Sequence, residues 1–314
     1  MATSGSVDFN QTRNEIIQDA LSLIGIYGVG RTVSSEDMSY CARTLNRMIK
    51  AWQAKGLHLW SKEEGVLFVA DNVGEYTLGN GSSNARACLW SDAVITELNG
   101  AHSASDTALT VDDTTNMAAS DIVGIVLDDD SVDWTTISSV DSSTQITVAS
   151  GLSSAAADNN NVYTFTSRIN KPLRIHDVRR VTGVSTRTEI PLTNVSHQEF
   201  QEISLKTNNG LPSQWHYDPD LTTGKLSLWP RPDDPEMYFR FTFERMIEDF
   251  DASTDNPDLP SEWLETIVYQ LAYRLAPAFG VDKNIVQPEA SVMLENMLSW
   301  DSEISSVQLV PDME

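Results

Sequence analysis

Residues 11–24, QTRNEIIQDALSLI, carry Ile16, Ile17, Ala20, Leu21 and Ile24 at helical spacing, which predicts an amphipathic helix. The glycines of GIYGVG break it. A second helix follows, capped by Ser34 or Ser35 and closed by Gly56 after Lys55, with Met38, Cys41, Leu45, Met48, Ile49 and Trp52 along its stripe. Two such helices joined by a glycine turn make an αα-hairpin. From Leu57 to Leu78 the period changes to two, predicting two or three strands joined by DNVG. Short strands are then predicted near residues 93–98, 107–112, 121–127, 132–138, 144–149 and 161–166, with polar turns between them, as in a small all-β module. Strand patterns resume from about 173 to 245, including KLSLWP and MYFRFTFERM.

Pro260 and Ser261 open a third helix. Its stripe of Trp263, Leu264, Ile267, Val268, Leu271, Ala272 and Leu275 is wide enough for deep burial, and Pro277 ends or kinks it. A fourth helix starts near Pro288. Its apolar residues Ala290, Met293, Met297, Trp300 and Ile304 recur three and four apart, a narrow seam suited to one partner helix or groove. That seam has no obvious partner inside the chain. SVQLVPDME then places Leu309 and Val310 in an acidic, extended tail.

These patterns predict an α+β protein: a helical bundle built from N- and C-terminal helices, an antiparallel β domain and an inserted small all-β module. The expected boundaries are an N-terminal helical hairpin at 1–62, the β domain at 63–86 and 168–249, and the acidic all-β module at 87–167. A core helix at 250–285 completes the bundle, and 286–314 forms a partner-binding arm of helix and tail.

Charge sharpens the picture through its distribution. The net charge is −24, and residues 87–167 hold twelve acidic side chains with no Lys or Arg, while 246–314 hold fourteen acidic against two basic. Phosphate binding needs clustered cations, so these two blocks exclude ordinary nucleic-acid binding. A surface that lets DNA slide past remains compatible with them. Two cysteines, Cys41 and Cys88, are too few for a disulfide framework, and Cys41 on an apolar helical stripe reads as core. MATSGSVDF has neither a basic start nor an apolar stretch behind it, which predicts no export signal. No run approaches the ~18 apolar residues of a membrane span. A soluble protein made in a reducing compartment is expected.

The chemistry-bearing residues do not assemble into a motif. GIYGVG follows a helix rather than a strand, which disfavours a phosphate cradle. The histidines at 58, 102, 176, 197 and 216 lie in separate neighbourhoods, each without a spaced partner. Asp128, Asp129 and Asp130 with Asp133 lack the alternating spacing of a calcium loop and read as a solvated hairpin turn. GLPSQWHYDPDLTTGKLSLWPRPDDP looks chemical, with His216 near Asp218 and Asp220. Its pattern is strand, turn, strand: Trp215 and Tyr217 share a face opposite His216, Pro219 and Gly224 bound the turn, and Trp229-Pro230 closes the second strand. It is architecture. No enzyme activity, cofactor or metal is expected.

That stretch, followed by RMIEDFDASTDNPDLPSEWLETIVYQLAYRLAPAFG with its Trp263, resembles the head-to-tail adaptor proteins of short-tailed bacteriophages, also called head-completion or packaged-DNA-stabilisation proteins. The N-terminal helix pair is similar to the opening of the same family, so the resemblance covers roughly 11–80 and 168–300 and leaves 87–167 outside. The latter segment is more loosely similar to small β-modules of other phage structural proteins. The resemblance implies a structural virion protein in the neck, made in the host cytoplasm. It implies a ring, twelve copies by the portal's symmetry, that docks under the portal and extends the DNA channel. Such a ring helps retain packaged DNA and offers the platform for the tail nozzle or tail tube. Genomic DNA would pass through without sequence-specific binding, and no membrane is involved. Met293, Met297, Trp300, Ile304, Leu309 and Val310 are the expected partner-binding residues. The rival reading is a receptor- or glycan-binding tail decoration protein, suggested by the Thr/Ser/Asp-rich module and an exposed Trp it would carry.

Overall fold

The computed structural model describes residues 5–28, 30–54, 59–79, 86–184 and 186–300. The protein is mixed α+β and mostly sheet, and it divides into two compact units, Met1–Ser61 with Ile247–Glu314 and Lys62–Met246.

The first unit is helical. Helix α1 (Arg13–Leu23) opens with a capping box in which Thr12 and Glu15 satisfy each other's backbone N–H groups. Helix α2 (Ser35–Gln53) begins at Ser34, whose hydroxyl accepts from Asp37 N–H at 3.1 Å. After the short α3 (His197–Glu202), which lies in the other unit, the chain returns to build α4 (Leu264–Leu275) and α5 (Gln287–Trp300). The predicted stripes meet in one core: Ile16, Ile17, Ala20 and Leu21 of α1, Cys41, Leu45, Met48 and Trp52 of α2, and Ile267, Leu271 and Leu275 of α4. Trp263, fully buried, packs between Trp52 and Trp60 with ring centroids 5.5 and 5.0 Å away. Pro277 lies in a 3-10 turn that ends α4, and Gly280 closes the turn in the left-handed conformation at φ 74.

The second unit starts with β1 (Lys62–Phe68), β2 (Glu75–Leu78) and β3 (Ala87–Leu89). The strands flanking DNVG do not pair with each other. β1 runs antiparallel to β3 and to β15 (Tyr238–Glu244), whereas β2 joins a different sheet. Beyond the next six strands, β10 (Arg174–Thr182) and β11 (Thr188–Pro191) complete a five-stranded sheet of order β11-β10-β15-β1-β3. The second sheet is β12-β13-β14-β2, from β12 (Thr193–Asn194), β13 (Gln214–Pro219) and β14 (Gly224–Trp229). The two sheets share a core. Phe239, Phe241 and Phe243 alternate along one face of β15 and meet Trp215, Leu226 and Leu228 from the second sheet.

Strands β4 (Val94–Glu97), β5 (Ala108–Thr110), β6 (Ile122–Val126), β7 (Val132–Ser142), β8 (Gln145–Val148) and β9 (Asn161–Phe165) form the third sheet, in the order β4-β9-β6-β7-β8-β5. Its two edges meet through the Leu98–Val111 bridge, with Asn99 N–H donating to Thr110 O and Asp112 N–H to Glu97 O, both at 3.0 Å. The sheet is thereby a small closed barrel, which removes its unpaired edges. Leu98, Leu109, Val111, Val123, Ile125, Ile137, Ile146 and Val162 fill the interior. Asp92 ties entry to exit by accepting from Ser167 N–H at 2.9 Å. The barrel's outer face packs Tyr163 and Phe165 against Val66 and Phe68 of β1 and Tyr238 of β15. β1 is buried on both faces for this reason, and β3, whose residues begin the acidic segment, is a strand of the five-stranded sheet.

Candidate functional site

The chemical-looking stretch folds as a hairpin of β13 and β14, in which Trp215 pairs with Leu228, Tyr217 with Leu226 and Pro219 with Gly224. Trp215 is buried in the two-sheet core. The Tyr217 ring lies over Gly224, where any Cβ would overlap it, and its hydroxyl donates to Pro172 O at 2.6 Å. Trp229 Nε1 donates to Leu205 O at 3.0 Å, and the Trp229–Pro230 peptide is cis. Trp263 serves the other unit's core, as described above.

His216 faces away from Trp215. Its Nδ1 lies 3.1 Å from Val195 O, and its ring contacts His197 and Phe200 at centroid distances of 5.4 and 5.8 Å. Neither Asp218 nor Asp220 is ion-paired with it among the described residues. Of the other histidines, His102 lies between Thr110 at 3.0 Å and the Asp106 carboxylate at 3.7 Å, His176 pairs with Glu244 at 3.0 Å, and His58 lies outside the described residues.

The acidic run forms the β6–β7 turn. Asp129 accepts from the Ser131 N–H and hydroxyl, which hold its carboxyl below the ordinary range. Asp128 accepts from Ala157 N–H, and Asp133 from Ser153 N–H. Asp130 takes the left-handed conformation at φ 61 that this tight turn requires. No group of three or more metal-ligating side chains converges among the described residues.

Helix α5 packs on α4. Gln270 Nε2 donates to Ala290 O at 2.7 Å, Ala290 is buried, and Leu294 and Met297 pack against the helical core. The packed line is thus Ala290, Leu294 and Met297, so α5 does have an internal partner. Met293 is half-buried beside that line, and Val292 and Leu298 are exposed. Trp300 is the last residue of α5 and its side chain is not described; Ile304, Leu309 and Val310 lie outside the described residues.

One constellation has no local signature. Arg179 of β10 and Arg240 of β15 stand opposite each other in register and share Glu64 of β1 and Glu189 of β11. Arg240 also lies over the Trp90 ring, 4.2 Å from its centroid. Burial opposes ionisation of Glu64, but the two guanidiniums outweigh it and hold that carboxyl below its usual range. Asp177 also pairs with Arg179, so the cluster is an ion-pair network that ties β1, β10, β11 and β15 together, although Arg240 Nε is buried without a hydrogen-bond partner among the described residues. The short α3 is a second feature missed, although Ser196 and Glu199 spell its capping box.

No helix is long and apolar enough to cross a membrane among the described residues. The family model described as SU10 adaptor protein matches residues 85–299. That span includes the segment 87–167, which the motif resemblance had left outside, and omits α1 and α2, which the resemblance had included. A search of curated proteins returned no match. With more than half its length matched, the chain belongs to the SU10 adaptor protein family and is a phage structural adaptor.

Proposed function

We propose that this adaptor assembles as a head-to-tail ring, twelve copies docked beneath the portal, that extends the DNA channel, helps retain the packaged genome and seats the tail nozzle or tail tube. The family match over 85–299 carries this reading. Charge supports it: residues 87–167, which contain the barrel, carry twelve carboxylates and no Lys or Arg, a surface to which phosphates do not adhere. In this reading the helical parts at 1–62 and 250–285, the β domain at 63–86 and 168–249, the acidic module at 87–167 and the arm at 286–314 are its working parts. The arm, with Met293, Met297, Trp300, Ile304, Leu309 and Val310, grips the portal or a neighbouring copy. The protein is placed in the virion neck after synthesis in the host cytoplasm.

The decoration reading required an exposed tryptophan. The two in the acidic segment, Trp90 and Trp134, are half-buried and pack against a hydrophobic cluster, so no observation favours that reading.

The test is copy number. Quantitative mass spectrometry of purified particles should give equal numbers of this protein and of portal subunits, and a ratio set by trimeric spikes or capsid sites would refute the ring. Native mass spectrometry of the isolated protein should show monomers or weak oligomers until portal is added, because a net charge of −24 on each subunit opposes ring closure.

A further inference from the structure

Within a strongly acidic protein, the helical unit keeps arginines that no carboxylate among the described residues neutralises. Arg13 and Arg43 line a cleft of about 490 Å³ between the start of α1, the side of α2 and the 250–253 segment. Neither belongs to an ion pair among the described residues. Arg13 donates to Asp251 O at 3.1 Å, its Nε is buried without a partner, and Arg43 donates to the Ser39 hydroxyl at 3.2 Å. Among the described residues no acidic side chain lines the cleft. Met38, Ala42 and the buried Phe250 give it an apolar floor, and Asn46 fixes that floor by bonding both the N–H and the C=O of Phe250. Arg47, one turn beyond Arg43 on α2, is also outside any ion pair among the described residues and extends the positive strip.

Unpaired guanidiniums beside an apolar floor call for an occupant with carboxylates and aliphatic side chains together. A bare phosphate backbone has no use for the floor. The sequence 301–314, DSEISSVQLVPDME, has the complementary pattern: Asp301 and Glu303, then Leu309 and Val310, then Asp312 and Glu314, with no Lys or Arg. We propose that the cleft receives residues 301–314 of a second copy of this chain. The helix that delivers the tail packs chiefly on α4, whereas the cleft is lined by α1, α2 and the 250–253 segment, which favours delivery by a neighbour. Extended, the segment reaches on the order of 46 Å, enough to cross between subunits. The assignment rests on the ring reading for the presence of a neighbour.

A fluorescent peptide of residues 301–314, titrated into the full-length protein and followed by anisotropy, tests it without portal or particles. Saturable binding should weaken about tenfold or more in the Arg13→Gln/Arg43→Gln variant, as expected for lost charge-assisted contacts, and should weaken with added salt. A peptide carrying Leu309→Ser and Val310→Ser should bind comparably worse, and this arm leaves the protein untouched should the arginine variant misfold. Binding indifferent to the peptide substitutions, or no better than a scrambled peptide, overturns the proposal. So does a disulfide between cysteines placed at Ser39 and Ser306 that forms only within one chain, since the tail would then occupy its own cleft. If the peptide fails to bind while the arginine variant loses portal affinity, the cleft belongs to the portal. Failure of the ring reading itself is seen separately, in the particle copy number.

Discussion

Phe68 and Tyr163 stack with centroids 4.4 Å apart and planes 21° from parallel, and both are fully buried. Phe68 comes from β1 of the five-stranded sheet and Tyr163 from β9 of the barrel, so the pair joins two layers with separate interiors. Phe165 and Tyr238 flank the same ring at 6.0 and 6.3 Å. Phe68→Ala should cost about 3–5 kcal/mol, because the cavity is shared by aromatics anchored in different sheets and collapses poorly. Urea unfolding followed by Trp fluorescence measures it. A loss below about 1 kcal/mol would mean that barrel and sheet hold their structure independently.

The hairpin offers a cleaner case of close approach. Gly224→Ala places a methyl where the Tyr217 ring already sits, and overpacking of this kind costs about 1–3 kcal/mol. Tyr217→Phe keeps the ring but loses the bond to Pro172 O, for about 1 kcal/mol. Trimming the ring with Tyr217→Ala should relieve the glycine substitution, so the double variant should be more stable than the two single costs predict. Additive costs in that cycle would show that the ring does not dictate the glycine.

Local pattern carried much of this architecture. The alternation of Leu109 with Val111, of Val123 with Ile125, and of Ile146 with Val148 predicted strands, and these residues do fill the barrel. Closure of the barrel was not legible, because the Leu98–Val111 bridge joins strands by edge pairing that leaves no mark in either one. DNVG marked a join between strands but not their partners: β1, buried on both faces, lies between β15 and β3 in one sheet while β2 completes another. The α5 seam was displaced by one position, Leu294 in place of Met293, since helical spacings of three and four are both allowed and only the facing helix chooses. The cleft beside Arg13 and Arg43 was invisible for the same reason: its walls come from segments more than two hundred residues apart.

Glu236 provides a pH test. Burial, followed by the charges of Asp234, Glu97 and Asp130, pushes its carboxyl above the ordinary value of 4.5. The fold therefore prefers the protonated form. Its contribution is fully present below the unfolded value and is lost as pH rises through the elevated one. At neutral pH the ionised group is a liability, and Glu236→Gln should raise the melting temperature there. The carboxyl is only partly withdrawn from water and the residue as a whole is exposed, so solvent screening keeps the gain small. The difference should fade as pH falls below about 4.5, where the wild-type group is protonated in both states. Thermal melts of both proteins from pH 4 to 8 decide it. A substitution that lowers stability at pH 7 would show that Glu236 has a favourable partner instead.

The arm can be dissected residue by residue, because α5 uses one line for its own unit and leaves another beside it. Leu294 packs on the helical core, and Leu294→Ala should destabilise the isolated protein by about 1–2 kcal/mol, the partial burial holding it below a full core truncation. Met293 is half-buried outside that packed line, so Met293→Ala should barely move the melting temperature. If the arm grips the portal or a neighbouring copy, the same substitution should weaken assembly, since methionine fills a groove without demanding exact shape. Trp300 is the sharper probe. An interface anchor of that size contributes about 2 kcal/mol or more to binding, so Trp300→Ala should loosen the complex while sparing the free subunit. Met297 belongs to the packed line and should show both effects at once. Melting curves and portal binding measured on all four variants separate the two roles. If Trp300→Ala and Met293→Ala cost stability in the free protein and affect assembly only in proportion, α5 is an ordinary bundle helix and the gripping surface lies elsewhere.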